Sequence, residues 1–254
     1  MRRIVTLVCV AAFLIVATAG QSITFGQLDG DRHPNVGLLL ADFGEGPEPL
    51  CSGTLIAPRV FLTASHCVSF LPSLGIDEVA VTFDPAFDEG SDLITGTYHA
   101  HPEFGVNGGG SDPHDIAVVI LDESPGLTPA TLPTRNLLET VDKQTQRFVA
   151  VGYGTVRESK RKGPHSLFFD AQRRFVEQSM LSLTKSWLNL SMNPSTGSGG
   201  TCFGDSGGPH FLGTTSIVVS ITVTGDRFCR ATDVSYRTDT DSARAFLDDF
   251  VTLP

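Results

Sequence analysis

The chain has 254 residues, 41% hydrophobic and 18% charged, with a formal net charge of −10 at neutral pH. That balance is globular, too apolar for a disordered chain and too interrupted by polar residues for a membrane-embedded one. The negative charge repels polyanions and removes nucleic acid as a partner class, while the length suffices for one large β domain or two small ones with a full core.

The first element is a leader. Arg2 and Arg3 precede an apolar run from Ile4 to Val16, broken only by Thr6, and Ala17-Thr18-Ala19 places small residues at a cleavage site. The run is short of the ~20 apolar residues that span a bilayer. Residues 1–19 are therefore expected to be a cleaved export signal, giving a secreted protein with no stable membrane span. Cys9 leaves with the leader, and Cys51, Cys67, Cys202 and Cys229 remain. Four cysteines in an exported chain suggest two disulfides, with three pairings open. A zinc site is the rival reading, but no closely spaced ligand pair supports it, so neither metal nor cofactor is expected.

Short runs rich in Val, Ile, Leu, Phe and Thr follow: "VGLLLA" from 36, "VFLTA" from 60, "VAVTF" from 79, "IAVVIL" from 116, "FVAVGYG" from 148 and "SIVVSITV" from 216. Gly, Pro, Asp and Asn clusters such as "DFGEGPEP" and "VNGGGSDPHD" separate them. Many short strands between turn signals predict an all-β fold, a barrel or a sandwich. "RESKRKG" from 157 reads as a solvated, cleavage-sensitive loop. Asn189-Leu190-Ser191 is a glycosylation sequon, a weak signal. At the C-terminus Thr240-Asp241 can cap a helix whose apolar stripe is Ala243, Phe246, Leu247, Phe250 and Val251.

Three stretches carry candidate chemistry. In "CSGTLIAPRVFLTASHC" from 51, cysteines bracket a strand-like run that ends at His66. A histidine held at a strand end can serve as a general base, because its ordinary pKa lies near operating pH. A lone histidine in such a place is more often structural. In "PHDIAVVIL" from 113, Asp115 leads straight into an apolar run, and a carboxylate entering a buried strand needs a specific partner. An imidazole N–H or a set of backbone amides would serve. In "TCFGDSGGPH" from 201, Gly204, Gly207 and Gly208 permit a sharp turn around Ser206 that aims amides into one small space, as an oxyanion site requires.

"LTASHC", "HDIAVVIL" and "GDSGGP", in that order, resemble the signature segments of the trypsin/chymotrypsin-like serine peptidases, and the order His, Asp, Ser fits that family. "HPEF" from 101 and "VGYGT" from 151 resemble further family landmarks. The resemblance runs from about Ile23 to the C-terminal helix. It implies two six-stranded antiparallel β-barrels with a C-terminal helix, the first over about 23–127 and the second over about 128–254, with the site in the cleft between them. It also implies catalysis by Ser206, His66 and Asp115, an oxyanion hole from the amides of Gly204 and Ser206, and disulfides Cys51–Cys67 and Cys202–Cys229. The lack of further cysteine pairs suits a simpler, bacterial-type member. The implied partners are a protein or peptide substrate and a protein inhibitor, with the enzyme a monomer. A catalytically silent binding module on the same fold is the alternative.

The sequence departs from the family pattern in two places. The family's new N-terminus, Ile-Val-Gly-Gly, is matched here only at Ile23 of "ITFGQ". The expectation is a zymogen with a short propeptide at 20–22 and an Ile23 amine paired with Asp205. In the specificity pocket Gly200 stands where trypsin-like members carry an aspartate. Thr201, Ser220, Thr222 and Val234 are the other expected substrate-binding positions. They favour small or medium apolar residues, unless Asp226 or Asp233 enters the pocket and selects a basic one.

Overall fold

The computed structural model describes residues 26–106, 111–157 and 167–254. The expected leader, Ile23 and most of the basic stretch from 157 lie outside the described residues. The chain enters as β1 (Gln27–Leu28) and then builds a closed barrel from β2 (Val36–Asp42), β3 (Pro47–Ala57), β4 (Val60–Thr63), β5 (Val79–Thr82), β6 (Ile94–Ala100) and β7 (Ala117–Leu121), in the order β2-β3-β4-β7-β6-β5. Every pairing is antiparallel. A second set comprises β8 (Arg147–Gly152), β9 (Val156–Arg157), β10 (Leu167–Phe168), β11 (Arg174–Leu183), β12 (Trp187–Ser191), β13 (Pro209–Leu212), β14 (Val218–Gly225) and β15 (Thr232–Arg237). Within it β8 pairs with both β11 and β13, closing a second six-stranded barrel of β8, β11, β12, β15, β14 and β13. The expected two-barrel fold is what the chain adopts.

All six apolar runs read from the sequence lie on strands. The interior of the first barrel is filled by Leu38, Leu55, Phe61, Val81 and Val118, each at most 1% exposed. Phe61 fits because Gly53 faces it; a Cβ there would lie 2.4 Å from its ring. One buried ion pair joins the N-terminal segment to both barrels. Arg173 donates to Asp29 Oδ2 (3.0 Å), to the Val36 and Phe83 carbonyls (3.0 and 2.8 Å) and to Tyr153 Oη (3.1 Å). Such a guanidinium is tolerable in a core only because so many of its donors are met.

Two helices matter for the site. α1 (Ser65–Val68) is a single turn that follows β4 and carries His66. α2 (Asp241–Asp248) is capped as expected: Thr240 Oγ1 accepts from the Ala243 amide at 3.2 Å, and Ala243, Phe246 and Leu247 are buried. It is shorter than its apolar stripe. Phe250 and Val251 lie past its end in a turn bonded to the Leu247 carbonyl, yet they still pack on the core. The Phe246 ring lies tilted 5.0 Å from His101 and Phe250 lies 5.4 Å from His99, so the end of the chain docks on the first barrel.

Candidate active site

The strand pair β4–β7 sets the first relationship. Thr63 and Ala117 are register partners, so the residues just past β4 meet those just before β7. His66 follows one end and Asp115 precedes the other. Asp115 Oδ2 lies 2.8 Å from His66 Nδ1, and Asp115 Oδ1 accepts the His66 amide at 2.9 Å. A carboxylate can only accept, so Nδ1 carries the ring proton and Nε2 is left as the basic nitrogen. Asp115 is 3% exposed, whereas the His66 side chain is 33% exposed. The acid is thus sheltered and the ring reachable. Ser65 reinforces the join: its Oγ donates to the Ile116 carbonyl at 2.6 Å and accepts the His101 amide at 3.0 Å.

The second barrel brings Ser206 to this place. The Ser206 carbonyl accepts the Ser52 amide at 2.8 Å, and the Gly207 amide donates to the Thr222 carbonyl at 2.7 Å. Gly207 has φ +76°, and a Cβ there would lie 2.2 Å from Thr63 Oγ1 and 2.8 Å from the Ala64 amide. Only glycine lets the turn press against the chain two residues before His66. Gly204 has φ +96°, and its carbonyl accepts from Ser52 Oγ at 2.9 Å. Among the described residues neither the Gly204 nor the Ser206 amide donates to a backbone carbonyl. Two free amides beside a serine are what a developing oxyanion needs.

Asp205 points inward from the same turn. Its Oδ1 accepts the Gly154 amide and its Oδ2 the Cys202 amide, both at 2.8 Å. The carboxylate is fully buried in a cradle of glycines, where a Cβ on Gly152 or Gly154 would fall 2.3 Å from its oxygens. Burial pushes its carboxyl up to about 7, against the lowering effect of the two amides. The disulfides Cys51–Cys67 and Cys202–Cys229 bind β3 to α1 and the Ser206 turn to the segment after β14. Cys51, Cys67 and His66 lie within metal-binding distance of one another. The two sulfurs are spent on each other, however, so no thiolate pair is left for an ion.

A cleft of about 130 Å³ opens beside Ser206. It is lined by Thr201, Thr222, Val223, Thr224, Gly225 and Asp226, among others. Of the expected substrate-binding positions, Thr201 and Thr222 are on this lining. Ser220 is not: it is fully buried within β14, opposite His210 and Arg237, and the segment that lines the cleft begins two residues further on, at Thr222. The chain between Ser220 and Cys229 is long, and the ladder register shows which part of it forms the wall. Val234 is paired between Asn189 and Thr224 and is not on the lining. Gly200 is buried against Met192, where a Cβ would lie 2.1 Å from its sulfur. Asp226 borders the cleft, but its carboxylate accepts the amides of Phe228, Arg230, Ala231 and Thr232 and so closes its own loop. Asp233 is wholly buried behind Thr201, whose hydroxyl donates to it at 2.7 Å. Ile23 lies outside the described residues.

Some contributors carry little signal in the sequence. Ser52 bonds Gly204 and Ser206 and accepts the Tyr153 amide at 3.0 Å, yet nothing marks it except its place after Cys51. Gly152 and Gly154 stand in the "VGYGT" landmark, but their task as the Asp205 cradle needs the fold.

Comparison with known proteins agrees with this geometry. Rat kallikrein-8 is 25% identical over 189 residues, 73% of this chain and 70% of its own. In three dimensions the chain is similar to HL collagenase, with a TM-score of 0.65 at 16% identity, covering 87% of this chain and 95% of the other. It is also similar to human heparin binding protein, with a TM-score of 0.63 at 20% identity, covering 91% and 99%. The trypsin family model matches residues 35–246. That span contains both barrels and all three motifs, and it makes this chain a member of the trypsin family of serine proteases.

Proposed function

We propose that the protein is a secreted serine endopeptidase acting through Ser206, His66 and Asp115. The observation that supports this best is the pair of hydrogen bonds that Asp115 accepts from the ring and the amide of His66, beside the pressed turn that carries Ser206. In this reading His66 Nε2 takes the Ser206 proton as Oγ attacks a peptide carbonyl. The Gly204 and Ser206 amides hold the oxyanion, and His66 returns the proton to the leaving amine. Water then repeats the sequence on the acyl-enzyme. Asp115 stabilises the imidazolium and fixes the ring. The small wall residues Thr201, Thr222, Val223 and Gly225 suit a small or medium uncharged side chain before the cleaved bond.

Export is supported by the leader at 1–19 and the two disulfides. A zymogen is supported by Asp205, a buried carboxylate with only neutral donors among the described residues. β1 pairs with β11, which pairs with β8, so Leu28, Arg174 and Gly152 lie in one row. Two strand spacings of about 4.8 Å separate Leu28 from Gly152. Three further residues upstream of Gly26 reach about 10 Å, enough for an Ile23 amine to approach Asp205.

A silent binding module is the rival, as the name of heparin binding protein suggests for that neighbour. The charge of −10 opposes any polyanion here. Labelling with a fluorophosphonate serine probe separates the readings. The chain beginning at Ile23 should label, and Ser206→Ala should not. His66→Ala should lose turnover by about 10⁶. A folded chain that begins at Ile23 and fails to label would refute the peptidase reading.

A further inference from the structure

The lining of the cleft includes one cationic side chain, Arg227, which is exposed at its open side. Elsewhere the chain pairs its arginines: Arg135 with Asp241, Arg173 with Asp29, Arg174 with Asp170 and Arg237 with Asp239. Among the described residues Arg227 has no such partner. Its neighbour Asp226 does not serve, because that carboxylate is held by the amides of Phe228, Arg230, Ala231 and Thr232. Arg157 and Arg230 add to the same charge. The Arg157 guanidinium is held below its ordinary pKa by burial first and by Arg230 second, with Asp226 acting the other way. A chain of net charge −10 thus keeps a local positive excess beside Ser206.

The rim around Arg227 has the composition of a contact surface. Phe203 and Phe228 are 60% and 64% exposed, the highest values among the large hydrophobic residues described. They adjoin the two halves of the Cys202–Cys229 disulfide, which brings them to one edge of the cleft. Unpaired arginine beside exposed aromatic rings is the pattern that carries energy at binding surfaces.

The strands say which part of a peptide would meet Arg227. β13 begins at Pro209, opposite Ile221, and the Gly207 amide donates to the Thr222 carbonyl at 2.7 Å, so Thr222 lies beside the Ser206 turn. Past Thr222 the pairing of β14 is with β15 alone: Thr224 with Val234 and Gly225 with Asp233. The other edge of Val223–Gly225 is open for one more strand. Every pairing in this barrel is antiparallel. A peptide added in the same sense runs from Gly225 toward Thr222 and reaches Ser206 with its cleaved bond. Its upstream residues then lie at the Arg227 end. Three strand residues span about 10 Å, which brings the third or fourth residue before the cleaved bond level with Gly225 and Arg227.

We propose that Arg227 is a specificity-determining residue that selects a carboxylate side chain on the third or fourth residue before the cleaved bond. This rests on the peptidase reading and deepens it. The substrate class is a peptide with an acidic residue at that distance upstream of a small uncharged one. The small residue fills the cleft, and the acidic one supplies the counter-charge that Arg227 lacks in the free enzyme.

The test uses peptides with alanine before the cleaved bond and glutamate, glutamine or lysine at the second, third or fourth residue. Each ratio of kcat/KM is taken within one enzyme, so the amount of active protein cancels. In wild type the glutamate-to-glutamine ratio should reach about five at the third or fourth residue and fall toward one in about 1 M salt. Arg227→Gln should bring the ratio to about one. Arg227→Glu should turn the preference to lysine, a reversal that general damage to the fold would not produce. A wild-type ratio of one at both positions overturns the assignment, as does a preference that survives Arg227→Gln. In both cases the enzyme still labels with the fluorophosphonate probe. A folded wild-type chain that begins at Ile23 and does not label refutes the peptidase reading itself, and the assignment falls with it.

Discussion

Asp205 offers a test of activation that needs no substrate. Its carboxyl is fully buried, hydrogen-bonded only to the Gly154 and Cys202 amides among the described residues, and pushed up to about 7 from 3.8. Ionising it in the folded chain therefore costs about 4 kcal/mol, at 1.36 kcal/mol per pKa unit. A folded pKa above the unfolded one means that the folded chain holds the extra proton. Stability should then fall as pH rises from about 4 through about 7. A cation beside the carboxylate removes that loss. The perturbation is cleavage: a chain that begins at Ile23 compared with one that keeps Gly20-Gln21-Ser22, both carrying Ser206→Ala to prevent self-digestion. At pH 8 the chain with the free Ile23 amine should be more stable by up to about 4 kcal/mol. The gap should close as pH drops toward 4. Denaturant unfolding midpoints at pH 8 and pH 5, with equal m-values, measure it. A difference under about 1 kcal/mol at pH 8 would show that the amine does not reach Asp205, because even a partly screened buried pair should exceed a surface one.

The other expectations concern bracing and pH. Breaking Cys202–Cys229 with paired serines should lower stability by about 3–4 kcal/mol, the chain-entropy value for a loop of this length, and should slow probe labelling because the disulfide holds the Ser206 turn; unchanged labelling would show that the glycine packing alone suffices. His101, 9% exposed and stacked 4.5 Å from His114, has its pKa lowered by burial first and by His114 second. A lowered folded value means that stability is whole above pH 6.5 and is lost as pH falls below it, so His101→Asn should flatten the decline in unfolding midpoint between pH 7 and 5. An equal decline in both chains would refute this.

Much of the fold and part of the site can be read from the chain because their signals are local. Apolar runs of strand length between turn residues become strands wherever they fall, so all six runs lie on strands. The capping pair Thr240-Asp241 and the stripe that follows it likewise define a helix by short-range chemistry. The motifs around His66, Asp115 and Ser206 are legible for the same reason: each needs a particular residue beside a strand end or in a glycine turn. The residues around the cleft are different. Ser220 and Thr222–Gly225 belong to one continuous β run, and nothing within it says which of its residues line the cleft. That choice depends on register with β13 and β15, set by bulges at Thr222/Thr224 and His210/Phe211. The fates of Asp226 and Asp233 are decided the same way. Each is an acidic residue near the pocket in sequence, yet one is consumed by four loop amides and the other by His210, which the chain places 23 residues away. The sequence by itself determined the strands, the order of the three motifs and the chemistry they share, because those rest on neighbours in the chain. Only the tertiary structure decided which charges reach the cleft, because a buried carboxylate is defined by its partners, and those come from strands distant in sequence.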